Sequence, residues 1–554
     1  MDMRLEKMAK NQVTKQLGGD ADWWRRAVIY QIYPRSYMDS NGDGIGDLPG
    51  IVSKLDYLQS LNIDAIWISP FFTSPMKDFG YDVSDYCDVD PMFGTLADFD
   101  ELIEQAHQRG IRILIDLVLS HTSDQHAWFK ESRGSRDNAK ADWYVWADPK
   151  PDGTPPTNWL SIFGGSAWEW DAVRRQYYMH NFLVSQPDLN FHNPQVQDAL
   201  LEVTRFWLER GVDGFRLDTA NMYTHDAELR DNPPIQPGGH INGIDVTNPY
   251  AMQDPVYNIN RPETPVFMER FRALLDQYPA TTSVGELGAV RDMYSTIATY
   301  TEQGKRLHMA YSFDFMTTEY SAAHVTYILK TMQQRVGSGW PCWAFSNHDV
   351  MRVVSRWGTG PQGAAMLIAM LTSMGGSACV YQGEELGFPE AEVAFEDLQD
   401  PFGIRFWPGY KGRDGCRTPI AWEAEQEQGG FSSAKPWLPV VTPHKQRAVN
   451  VQDADVASTL NQVRQFLGWR RQQAALLSRE LEVLDAPENV VAFVCGEAGK
   501  RLLCAFNLQG VPVVFDSAKP DLQAVTGHGF EACADCDGGV ISLAAHGVFF
   551  GTWN

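Results

Sequence analysis

The chain is poor in cysteine and in positive charge, and each shortage closes off a class of function. Eight cysteines in 554 residues do not make the disulfide framework of a small secreted domain. Cys533 and Cys536 form a lone CxxC with no second pair and no histidine at ligand spacing, so they read as structural or incidental. Only 46 Lys and Arg stand against 70 Asp and Glu, a net charge of −24, which argues against a nucleic-acid partner. Residues 1–20 are polar and mixed in charge, without the apolar core of a signal peptide, and read as a loose leader. The one long uncharged stretch, 358–383, is interrupted by Thr372, Ser373 and Gly375–Gly376. It splits into a helix, Met366–Met374, and a strand, Ala378–Tyr381, rather than one membrane span. The expectation is a cytoplasmic protein without nucleic-acid or membrane partners, monomeric or homodimeric.

What is present is core. With 44% hydrophobic residues and 18 Trp the composition excludes disorder and fibrous repeats. Short apolar strands alternate with amphipathic helices through the first two thirds. The strands fall at Val28–Tyr33, Ala65–Ile68, Ile113–Val118, Gly214–Leu217, Thr282–Val284, Met309–Ser312, Cys342–Phe345 and Ala378–Tyr381. Thr95 with Asp98 three residues on predicts a capped helix that Gly110 ends, and Asn193–Pro194 opens another that Gly211 ends. Eight strands with helices between them predict an α/β fold, a (β/α)8 TIM barrel; an open doubly wound sheet is the alternative. The stretch 119–213 is too long for a connection and reads as an inserted domain, 120–188. The barrel then comprises 1–119 and 189–482, with a final helix Thr459–Glu480, and a C-terminal β-sandwich fills 483–554.

Barrel enzymes carry their chemistry where strands end. Strand four reads Phe215-Arg216-Leu217-Asp218, with Arg216 and Asp218 on one face. Strand five ends on Glu286, strand three on His121, and strand seven on His348-Asp349. Three carboxylates from three strands converge on one rim, as glycoside cleavage requires: one ionised to attack, another protonated to release the leaving oxygen. Arg216 is expected to keep Asp218 ionised, and burial to raise Glu286. Separately, Asp39, Asn41, Asp43, Ile45 and Asp47 alternate along DSNGDGIGD, a spacing of oxygen ligands that suits one structural Ca²⁺ or Mg²⁺ ion. With Gly50 at the twelfth position the loop is not an EF-hand.

The segments DLVLSH, GFRLDTAN, GEL and FSNHD, with QPDLN at 186–190, resemble glycoside hydrolase family 13, the α-amylase family, in its α-glucosidase and oligo-1,6-glucosidase branch. The resemblance implies Asp218 as nucleophile, Glu286 as general acid/base and Asp349 as the third carboxylate. It implies Arg216, His121 and His348 in the same sugar subsite, and Asp78 and Tyr81 on the terminal glucose. Arg417 would pair with Asp78, and Phe163, Phe182 and Phe313 would form apolar walls. Ser120 stands where many amylases carry the Asn that holds their main calcium, so that site is expected to be absent. Thr219, after the nucleophile, implies preference for α-1,4 over α-1,6 bonds. The implied activity is a retaining exo-acting α-glucosidase with transglucosylation to a sugar or alcohol acceptor. A predominant glucosyltransferase or a sucrose- or trehalose-type isomerase is the alternative. A non-catalytic transporter heavy chain is disfavoured by the full carboxylate set.

Overall fold

The computed structural model describes residues 16–553 apart from 242 and 245. Its centre is eight strands: β1 (Val28–Ile32), β2 (Ala65–Ile68), β3 (Arg112–Leu117), β4 (Gly214–Leu217), β5 (Thr282–Leu287), β6 (Met309–Ser312), β7 (Cys342–Ala344) and β8 (Ser377–Tyr381). All hydrogen-bonded neighbours are parallel, in the spatial order β6-β5-β4-β3-β2-β1-β8-β7. A parallel bridge from Ala310 to Pro341 joins the two ends and closes the barrel. Strands covered on both faces read as apolar runs rather than alternating ones, and β1, β2, β4, β5 and β8 are buried at every residue.

The helices obey local chemistry. Helix α1 (Leu96–Gln108) begins with a reciprocal cap: the Thr95 N–H donates to Asp98 at 2.7 Å, and the Asp98 N–H to the Thr95 hydroxyl at 3.3 Å. In α2 (Pro194–Glu209) the Asn193 side chain accepts from the Gln195 N–H, and Val196, Leu200, Val203 and Trp207 are buried. Helix α3 (Ala364–Ser373) is buried along its whole length, and no described helix is long and apolar enough to cross a membrane. The last helix of the barrel, α4 (Thr459–Arg470), is shorter than expected. Its last buried apolar residue is Trp469, Arg470 is pinned to the Thr372 carbonyl, and the chain then breaks into turns that bury Ala475 and Leu476.

The insertion after β3 holds a small antiparallel sheet, Trp146–Ala147, Gln176–Met179 and Trp168–Asp171, around buried Trp159 and Trp168. Bridges from His121 to Asp188 and Tyr144 to Leu189 tie its two ends at the barrel rim. From Leu481 the chain forms two antiparallel sheets, of five and three strands, whose shared core includes Val490, Leu503, Ile541 and Leu543. The other face of the larger sheet, with Phe493, Phe506 and Phe550, packs into the barrel core. Residues 1–15 of the expected leader lie outside the described residues. Beyond them the chain is held: the Leu17 N–H donates to Asp213, and Arg112 donates to the Gly18 carbonyl.

Candidate active site

The register of the barrel sets Asp116 on β3 beside Arg216 on β4. Arg216 is fully buried, its guanidinium 4.9 Å from the Trp67 ring centre. It donates to Asp116 at 2.9 Å, to Asp218 at 2.6 Å and to Glu286 at 2.7 Å. Glu286 also accepts from the Tyr311 hydroxyl and from the Thr219 N–H, each at 3.1 Å. Gly285, just before it, allows the close packing, because a Cβ there would run into the Leu307 side chain. Burial pushes Glu286 up to about 7; Arg216 opposes the rise, while the charges on Asp218 and Asp349 add to it.

The expectation that Arg216 holds Asp218 ionised is corrected here. One guanidinium is divided among three buried carboxylates, so burial outweighs it and the Asp218 carboxyl is raised as well. Asp116 is raised for the same reason.

A second charged cluster closes the other side. Arg413 donates to Asp78 at 3.0 Å, to Asp400 at 2.8 Å and to Asp349 at 3.2 Å. Arg417 donates to Asp349 at 2.9 Å and to the His348 carbonyl at 2.7 Å. The expected pairing of Arg417 with Asp78 is therefore wrong; Arg413 makes it. The two arginines stand at opposite ends of the short helix Asp414–Arg417, and only the first faces Asp78. Burial tends to raise Asp349, but the Arg413 and Arg417 guanidiniums, with His348 Nε2 3.3 Å away, hold it well below the usual carboxylate range. Asp400 is likewise held at about 2, burial being outweighed by Arg413.

His348 and Tyr81 join the clusters. Their rings stack at 5.2 Å, and the Tyr81 hydroxyl lies 2.6 Å from His348 Nε2 and donates to Asp116 at 3.0 Å. His348 Nδ1 lies 2.7 Å from the Gln31 amide. His121 is buried and its pKa lowered to about 4 by desolvation, so it is neutral; Nε2 donates to the Tyr81 carbonyl at 3.0 Å. Gln186 of QPDLN donates to the second oxygen of Asp78 at 3.1 Å. Phe163 and Phe182 pack together at 5.6 Å, Phe182 against His121 and Phe163 beneath the Arg413 guanidinium. Phe313 sits apart, against Gly243, Gly288 and Tyr311. Thr219 has a left-handed backbone, φ 39°, and its hydroxyl lies 3.3 Å from both Asp218 Oδ2 and Ser120 Oγ.

Sequence reading had not assigned a role to Asp116, Gln186, Tyr311, Asp400 or Arg413. Strand alternation with β3–β4 pairing could have found Asp116, and QPDLN contained Gln186. Arg413 and Arg417 differ only in the path of the loop that carries them.

In the β1 loop, Asp39 Oδ1 accepts from the Asn41 and Gly42 N–H groups, and Asp43 from the Ile45 N–H. Asp47 caps the following helix through the Gly50 N–H and also accepts from Ser40. The donors are hard oxygens, as Ca²⁺ or Mg²⁺ requires. Among the described residues no three carboxylate, imidazole or thiol groups are gathered as a ready metal shell.

A family model described as the alpha amylase catalytic domain matches residues 31–479. A probable alpha-glucosidase of Rhizobium meliloti is 54% identical over 98% of this chain and 99% of its own length. An oligo-1,6-glucosidase of Parageobacillus thermoglucosidasius is 38% identical over 81% of this chain and 84% of its own. Among solved structures, the alpha-glucosyl transfer enzyme XgtA superposes with a TM-score of 0.94 at 55% identity, covering 96% of this chain and 99% of that one. The trehalulose synthase MutB of Pseudomonas mesoacidophila superposes with a TM-score of 0.86 at 31% identity, covering 96% of this chain and all of that one.

Proposed function

The chain belongs to the α-amylase family, and from that premise we propose that it is an exo-acting α-glucosidase working by retaining double displacement. The single observation that carries the mechanism is the sharing of Arg216 by Asp218 and Glu286. Two carboxyls gripped by neighbouring nitrogens of one guanidinium stand side by side, which favours the retaining separation of about 5–5.5 Å over the wider inverting one. Asp218 attacks the anomeric carbon through Oδ2, since Oδ1 is held by Arg216. Glu286, raised to about 7, gives its proton to the departing oxygen and then takes one from the incoming water. Asp349, firmly ionised, accepts hydrogen bonds from the sugar's hydroxyls with His348 beside it. Asp78, Arg413 and Phe163 form one connected group, which in this reading blocks the chain beyond a terminal glucosyl unit.

A sugar or alcohol in place of water gives a transglucoside, and the 55% identity to an alpha-glucosyl transfer enzyme favours that second outcome. The Thr219 hydroxyl beside Asp218 supports a preference for maltose over isomaltose. The β1 loop would hold one structural Ca²⁺ or Mg²⁺ through Asp39, Asn41, Asp43, the Ile45 carbonyl and Asp47, tying the first βα connection. All eight cysteines are free thiols, which supports a reducing, cytoplasmic setting.

The test is incubation with maltose, isomaltose, sucrose and a non-sugar alcohol, with products resolved by chromatography. Glucose from maltose, with glucosides of the alcohol, supports the reading. Conversion of sucrose to an isomer without glucose release would replace it with isomerisation. If isomaltose gives the higher kcat/KM, Thr219 does not govern linkage choice.

A further inference from the structure

Ser120 closes β3's rim and is almost fully buried. Its hydroxyl lies 2.9 Å from His121 Nδ1 and 3.3 Å from the Thr219 hydroxyl, which in turn lies 3.3 Å from Asp218 Oδ2. The direction of this chain of hydrogen bonds follows from its first member. His121 Nε2 has two neighbours, the Tyr81 carbonyl at 3.0 Å, which can only accept, and the Gln186 amide at 3.2 Å, which already donates to Asp78; the nearer carbonyl takes the Nε2 proton. A neutral imidazole has one such proton, which leaves Nδ1 an acceptor. The Ser120 hydroxyl proton is thereby committed to Nδ1, and Ser120 Oγ faces Thr219 with lone pairs alone. The single Thr219 hydroxyl proton then has two competing acceptors, Ser120 Oγ and Asp218 Oδ2, at equal distance.

We propose that Ser120 is a positioning residue: it draws the Thr219 hydroxyl proton toward itself and leaves the attacking oxygen of Asp218 free and basic. A hydroxyl donated to Oδ2 would stabilise the carboxylate and blunt it as a nucleophile. The inference rests on Asp218 being the nucleophile. The strained backbone of Thr219, φ 39°, is what brings its hydroxyl between the two acceptors while its N–H reaches Glu286.

Other groups also act on Asp218. Arg216 faces it from its own strand, Asp116 from β3, Glu286 from β5 and Asp349 from beyond β7. Tyr81, Tyr223 and Tyr311 stay protonated, their pKa values raised by burial, and His121 and His348 stay neutral. The test must therefore move the Ser120–Thr219 contact and nothing charged.

Ser120→Ala deletes the rival acceptor without altering charge. The acid limb of the kcat/KM–pH profile, which reports the nucleophile, should move down by about half to one pH unit, and kcat should fall several-fold. Ser120→Thr restores the hydroxyl and should return the limb to its wild-type position. In a Thr219→Val background no hydroxyl proton remains to be shared, so adding Ser120→Ala should leave the acid limb where Thr219→Val alone puts it. Labelling of the wild type with a 5-fluoroglucosyl fluoride and peptide mass spectrometry checks the premise separately. Label on Asp218 with no limb movement in Ser120→Ala, or with the same movement in the Thr219→Val background, overturns the inference alone. Label on another residue overturns it together with the assignment of the nucleophile.

Discussion

Two charged clusters meet through Tyr81 and His348, built from the same residue types in different proportions. Around Arg216 one guanidinium serves three buried carboxylates, Asp116, Asp218 and Glu286. Around Asp349 two guanidiniums, Arg413 and Arg417, serve Asp78, Asp349 and Asp400. In the first cluster burial wins, and all three acids are raised. In the second the cations win for Asp349 and Asp400; Asp78, which must share Arg413 with Asp400, is still raised by burial. A deficit of cations leaves a proton in the site, which the proposed mechanism uses for acid–base chemistry. A near balance leaves fixed charges, which in the proposed mechanism grip a sugar. Burial alone is common to both, so the ratio of cations to anions decides which side does chemistry.

The hardest blow to the comparison falls on the proton-holding side. Asp218→Asn should cut kcat at least about 10,000-fold on every substrate, since no glucosyl ester can form. Glu286→Gln should be as severe on maltose but spare the first step on an aryl glucoside with a good leaving group, seen as a burst of released phenol. Equal loss on both substrates would deny Glu286 its proton.

On the gripping side, Arg413→Ala strands Asp78 and Asp400 in a buried site. The cost should be about 3–5 kcal/mol in stability, with KM for maltose rising more than kcat falls. Thermal melts and steady-state kinetics measure both. A larger effect on kcat than on KM would place Arg413 in the chemistry.

The ratio itself can be shifted. In the wild type the alkaline limb of kcat/KM should lie near pH 7, because Glu286 must be protonated and is raised to about 7. Asp116→Asn removes one claimant on Arg216, so Glu286 and Asp218 should both titrate lower and both limbs move acidward, by roughly one pH unit. An unmoved alkaline limb would mean that the shared guanidinium does not set the proton affinity.

The smallest effect belongs to the β1 loop, whose carboxylates bond groups of the loop and Ser432 rather than either cluster. Removal of a bound cation by EDTA should lower the melting temperature by about 2–4 °C and leave the position of both pH limbs unchanged. Melts indifferent to EDTA, with no metal by elemental analysis, would reduce DSNGDGIGD to a turn.

The sequence carried most of the first cluster and less of the second. β2, β4 and β6 fall on the residues their apolar runs predicted, and Thr95 and Asn193 cap their helices, because those signals are local. Asp218 and Glu286 sit at strand ends, where alternation fixes direction. The gripping cluster depends instead on the long excursion after β8, whose path no short-range pattern sets. GRDGCRTP offers two arginines four residues apart, and only the folded loop shows that Arg413 meets Asp78. The sharing of Arg216 was equally hidden: sequence neighbours suggested one partner, and the closed barrel supplied three.

The most direct test of the central claim is the anomeric form of the glucose released from an aryl α-glucoside, whose leaving group is not itself a sugar, followed by proton NMR during the first turnovers. With Asp218 and Glu286 side by side on one guanidinium, α-glucose should appear first and mutarotate slowly to the mixture. If β-glucose appears first, water attacks directly, no Asp218 ester forms, and the division of labour between the two clusters is wrong.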